Sequence, residues 1–136
     1  MKFLSVFFCL CLASCASTQT TTYEAIGGQK TIATIVDNFI EEIQFDEKIF
    51  PYFKESNVDR FRSKLNEHLC VLTQGPCKYT GDAMKPVHTG MKINESDFNL
   101  TVELFIKAME KANVSYQHQN KILREMAKLR GEIIYL

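Results

Sequence analysis

Tryptophan is missing from this chain of 136 residues, and histidine occurs only three times, at His68, His88 and His118. Neither sign of charge is in excess. Sixteen basic residues face 16 acidic ones, so nothing argues for a nucleic-acid partner. Strand-like alternation of apolar and polar residues is missing too, which leaves helices as the expected elements. Zinc is disfavoured for a related reason: a structural site needs about four ligands at recognisable spacing. His68, Cys70, Cys77 and His118 make no such array. The chain has only three prolines and six glycines, and Gly27-Gly28, Pro51, Gly75, Pro76, Pro86 and Gly90 read as boundaries between elements. What the chain does have is apolar bulk. Aromatics make up 11% of it, ten of them phenylalanine, a large payload for one small domain.

The opening "MKFLSVFFCLCLASC" does not belong to that domain. Lys2 supplies a positive n-region, residues 3–12 an apolar h-region, and small residues follow, the pattern of a secretory signal. The run is too short for a stable membrane span. Its end, "LASC", resembles the lipobox of bacterial lipoproteins, which implies cleavage before Cys15 and lipid on its sulfur; the alternative is an ordinary signal cut nearby. Residues 1–14 are then removed, residues 15–22 form a lipidated flexible tether, and the folded domain runs over 23–136. Ala16 after Cys15 resembles an outer-membrane sorting signal. The expected location is the bacterial envelope, on the periplasmic face of the outer membrane. Export also governs the cysteines. Cys9 and Cys11 leave with the signal, and Cys70 and Cys77 remain as an even pair in an oxidising compartment. A disulfide is favoured over two buried thiols, and would contribute about 2.5 kcal/mol in the chain-entropy model.

Helical periodicity fills the rest. Ile32, Ile35, Val36, Phe39, Ile40 and Ile43 make one wide stripe behind the breaker Gly27-Gly28. Asp46 can cap a short turn, and Pro51 closes a corner holding Phe50, Tyr52 and Phe53. A helix starting near Asn57 or Asp59 carries Phe61, Leu65, Leu69 and Leu72, with His68 beside them. "TQGP" stops it, with Gly75 expected in a left-handed conformation. Pro86 and Gly90 bound a very short helix around His88. "NESD" resembles a helix cap, and the long helix it opens turns Phe98, Val102, Phe105, Ile106 and Met109 inward. Ser115 is expected to cap the last helix, with Ile122, Leu123, Met126, Leu129 and Ile133 on its inner face. The fold class is all-α, with two long helices before the His88 segment and two after it.

His88 sits on an apolar segment, "YTGDAMKPVHTGMKI", where an imidazole needs either a hydrogen bond or a metal. A Cys-His catalytic pair is unconvincing, because an oxidising compartment consumes the thiolate. Haem escapes the argument against metals. It brings four nitrogens of its own and asks for one axial imidazole and a greasy slot.

The stretches "YEAIGGQKTIATIVDNFI", "IFPYF", "GPCKYTGDAMKPVHTGMKI" and "DFNL" occur in the order seen in group 1 truncated haemoglobins, and over residues 23–134 the chain resembles that family. The resemblance implies a two-over-two helical sandwich around a b-type haem with His88 as the proximal ligand. Phe53 matches the corner phenylalanine that wedges the porphyrin, and Met84 and Phe98 match residues of the proximal side. Lys64 falls where a basic residue meets one haem propionate, and Tyr79 occupies a position close to the other; a solvated helix face and a plain loop anchor are their alternatives. Phe61, Leu65 and Leu69 complete the cofactor set. The distal pocket would be walled by Phe39, Ile40, Phe61, Leu65 and His68.

That distal side departs from the family. Ile40 stands where many members have tyrosine, and Phe61 and Leu65 stand where glutamine is common. A lost hydrogen bond to O2 forfeits about 1.5–3 kcal/mol, so O2 would leave about ten- to a hundredfold faster, whereas NO or CO loses less. His68 could donate or ligate, or could be a haem-edge residue. The expected function is reversible binding of a diatomic gas (O2, NO or CO), as oxygen binding or transport or as NO detoxification fed by a reductase, in a protein anchored to the membrane through Cys15. The rival is a cofactor-free helical lipoprotein that binds a partner protein.

Overall fold

A computed structural model describes residues 19–136. The expected leader and the lipidation position Cys15 lie outside the described residues. All elements within them are helical: α1 (Thr22–Ile26), α2 (Gly28–Phe45), α3 (Phe50–Phe53), α4 (Val58–Leu72), α5 (Met84–His88), α6 (Glu95–Lys111), α7 (Tyr116–Ala127) and a 3-10 turn (Arg130–Glu132).

Side chains of the flanking residues set most of these boundaries. Thr21 and Glu24 form a reciprocal capping box on α1, which draws the end of the expected tether into the folded unit. Gly27 and Gly28, at φ 103° and 70°, turn the chain sharply into α2, a conformation costly for any residue with a Cβ. Asp46 Oδ1 accepts from the backbone N–H of Lys48 and Ile49 ahead of α3. Asn57 rather than Asp59 caps α4, accepting from the Arg60 N–H at 2.9 Å. Asn94 does the same for α6 through Asp97.

Three expectations fail. The last helix, α7, ends at Ala127, so Leu129 and Ile133 flank the 3-10 turn rather than lie on the inner face of that helix. Ser115 precedes α7, but its hydroxyl meets His118 Nδ1 at 2.9 Å and caps no backbone N–H. At the end of α4 it is Gln74, at φ 65°, that takes the left-handed conformation, not Gly75. Gly75 is required for space instead. A Cβ there would lie 2.5 Å from Tyr23 Cδ2, 2.6 Å from Cys70 Sγ and 2.9 Å from the Cys70 carbonyl oxygen.

The core lies where α2 packs on α4 and α6, with α7 against α1 and α4. From α2 come Ile32, Ile35, Val36, Phe39 and Ile43, met by Leu69 and Cys70 of α4, by Leu104, Phe105, Ala108 and Met109 of α6, and by Ile122. Phe39 and Phe105 cross edge to face at 5.2 Å. Sealing a side chain as large as Phe105 contributes about 2–3 kcal/mol. Ile49, which the periodicity does not single out, is fully buried beneath the corner.

Candidate functional site

The segment bearing His88 is built unlike the rest. None of the residues of α5 is buried, and the helix packs chiefly against the 3-10 turn. A two-rung clasp from the end of the chain holds the residues that follow it: Gly90 N–H donates to the Leu136 carbonyl at 3.2 Å, and Tyr135 N–H to the Ile93 carbonyl at 2.9 Å. Within α5, His88 Nδ1 lies 2.7 Å from the Met84 carbonyl oxygen. A carbonyl only accepts, so Nδ1 carries a hydrogen, and in the neutral ring Nε2 keeps its lone pair. This is how metal-binding imidazoles are commonly oriented, with one nitrogen tied to a carbonyl and the other free.

The expected cofactor residues divide into two groups. Phe39 and Leu69, exposed by 5% and 1%, belong to the closed core. Ile40, Phe53, Phe61 and Leu65 are half-buried: each packs on that core with one side and leaves the other uncovered. Phe53 and Phe61 stand 5.0 Å apart with their planes tilted by 59°. Phe98 and Met84 are likewise half-buried, and the Arg130 guanidinium lies 5.7 Å from the Phe98 ring centre. Half-covered aromatic and aliphatic side chains, in a chain with an imidazole so oriented, suit a flat apolar group that carries its own metal. Among the described residues no three His, Cys, Asp or Glu side chains converge to hold an ion, so an iron at this site would arrive already held by most of its ligands.

The polar rim is a network joining α4 to the loop before α5. Lys64 Nζ donates to Glu67 Oε1 at 2.8 Å and to Thr80 Oγ1 at 2.5 Å. Glu67 Oε2 also accepts from Thr80 N–H and hydroxyl, at 2.8 and 2.9 Å. The hydrogen bond from Lys64, then those from Thr80, hold the Glu67 carboxyl down at about 2. Tyr79 donates to the Asp82 carbonyl at 2.8 Å, and burial, with the charges of Asp82 and Glu67, raises its phenol above the ordinary range. His68 meets the Tyr79 ring edge to face at 5.1 Å, and burial lowers its pKa. Lys64 and Tyr79, expected near propionates, thus have partners inside the protein. Sequence reasoning missed Glu67, although its spacing of three from Lys64 on one helix face was a usable signal. Tyr52 was missed in its polar role: its hydroxyl donates to Asp97 Oδ2 at 2.6 Å, tying α3 to α6, and that bond chiefly raises its pKa. The expected disulfide is present between Cys70 and Cys77, with Cα atoms 5.9 Å apart.

Comparison with known proteins places the chain among globins. Residues 21–135 match the bacterial-like globin family. A group 1 truncated hemoglobin from Mycolicibacterium paratuberculosis is 32% identical over 111 residues, covering 82% of each chain. One from Tetrahymena thermophila is 30% identical, covering 82% of this chain and 88% of its own. Among solved structures, the truncated hemoglobin of Tetrahymena pyriformis in its Fe(III) form superposes with a TM-score of 0.80 at 23% identity, over 85% of this chain and 98% of that one. The group II truncated hemoglobin of Bacillus anthracis gives 0.77 at 21% identity, over 86% and 92%.

Proposed function

We propose a function from one premise: the chain belongs to the bacterial-like globin family and, within it, to the group 1 truncated haemoglobins. It is therefore a haem-binding globin with the two-over-two fold, and its ligand is a diatomic gas. The finer reading is a b-type haem held by His88 Nε2, and the observation that carries it is the hydrogen bond tying Nδ1 to the Met84 carbonyl. When bound, haem supplies an iron with a coordination position open to a small gas.

The chain's own residues do the rest. The Met84 carbonyl fixes the tautomer and rotation of the His88 ring. Phe53, Phe61, Leu65 and Phe98 offer apolar surface that keeps water from the cofactor's faces. Ile40, Phe61 and Leu65 bring no hydrogen-bond donor, so O2 forgoes about 1.5–3 kcal/mol that a polar pocket would give it. A less polar gas forgoes less. NO detoxification is the sharper physiological reading, with a reductase as a further partner. Attachment to the periplasmic face of the outer membrane, through lipid on Cys15, is supported by "LASC" and the polar tract behind it.

Titrating haemin into the purified protein tests the reading. Wild type should develop a Soret band that His88→Ala abolishes or shifts. Identical spectra would return His88 to the role of a hydrogen-bonded helix residue and leave the cofactor-free lipoprotein in its place.

A further inference from the structure

The outer face of α7 is cationic. At 100° per residue, Tyr116, Lys121, Arg124 and Lys128 share an arc of roughly 140° with no carboxylate inside it. Glu125 lies at the edge, paired with Lys128 and Arg124. Tyr116 is 77% exposed, an aromatic ring with a polar tip. The first described residues enter here. Gln19 and Thr20 line the same hollow as Lys121, Arg124 and Lys128, where Glu125 is the one carboxylate, and Val71, an exposed apolar residue at the end of α4, lines it with them. A second hollow, at the start of α6, is edged instead by Glu95 and Glu103 with one lysine, Lys48.

Cys15 lies four residues before Gln19, and four extended residues reach about 14 Å at most. A lipid on Cys15 would therefore hold the domain by its α7 side, close enough for that side to touch the headgroups. We propose that the outer face of α7, with Val71 beside it, docks on anionic phospholipid headgroups. Lys121, Arg124 and Lys128 meet the phosphates, and Tyr116 sits at the level of the interface. The proposal rests on the lipid-anchor reading of Cys15.

The test uses the full, lipidated protein reconstituted into two kinds of vesicle: phosphatidylcholine alone, and phosphatidylcholine with a third replaced by phosphatidylglycerol. Lysines are labelled with an acylating reagent and read by mass spectrometry. In the anionic vesicles, labelling of Lys121 and Lys128 should fall roughly fivefold or more while Lys107 on α6 stays unchanged. The contrast should vanish at high salt and shrink in Arg124→Glu. Equal labelling of Lys121 and Lys128 in both vesicles overturns the docking. An N-terminal peptide without lipid mass overturns the anchor, and the docking with it, and leaves the haem reading untouched.

Discussion

His68 and Tyr79 meet edge to face at 5.1 Å, and burial holds the imidazole below its ordinary range. An unfolded histidine takes its proton near pH 6.5, the folded one only at lower pH. The stability this residue confers is therefore fully present above about pH 6.5 and is lost as pH falls from there through the folded value. His68→Gln should flatten the fall in melting temperature on acidification from about pH 7 to 5; parallel curves for the two proteins would show that the ring is not sealed. At this scale the sequence was informative where local chemistry is strong. The caps at Asn57 and Asn94 and the Gly27-Gly28 turn could be read from residue type. Gly75 was misread because its need is steric, set by Tyr23 from the other end of the chain. Nothing in "TQGP" announces that neighbour.

Among the elements, α4 carries the most tasks. Its start is capped by Asn57, its middle supplies Lys64 and Glu67 to the loop before α5, and its end is bridged to that loop by Cys70–Cys77. The bridge and the Glu67 bonds to Thr80 fix the loop, and with it Tyr79, against His68. Closing so short a loop contributes about 2.5 kcal/mol by restricting the unfolded chain. Cys77→Ser should lower the urea midpoint by a corresponding amount, and the wild type in excess dithiothreitol should match it. A midpoint indifferent to both would mean that packing around Cys70 holds the loop unaided. The bridge was legible from the signal-like start of the sequence and the parity of the remaining cysteines, whereas α5 was legible only in outline. "MKPVH" looks apolar enough to be buried, yet none of its residues is. Apolar residues that face a cofactor and those that face protein share one periodicity. Phe39 with Leu69 and Phe61 with Leu65 lie on similar stripes, and only the assembled helices separate sealed from half-covered.

For the whole molecule, half-covered apolar surface in a small domain implies that the cofactor contributes to stability as well as to function. A ligand that binds only the folded state stabilises by RT ln(1 + [L]/Kd), about 4 kcal/mol at a thousandfold excess over Kd. Haemin should raise the wild-type melting temperature by several degrees, and removing it should reverse the gain. His88→Ala should show little of that rise. If apoprotein and haemin-loaded protein melt together, the uncovered side chains are an ordinary surface. The clasp formed by Leu136 and Tyr135 has a practical corollary. If His88 is the haem ligand as proposed, part of the grip on its segment comes from Tyr135 and Leu136, so disturbing those two residues would be felt at the imidazole. A change at either position, remote in sequence from His88, would then alter the very colour used to judge the protein.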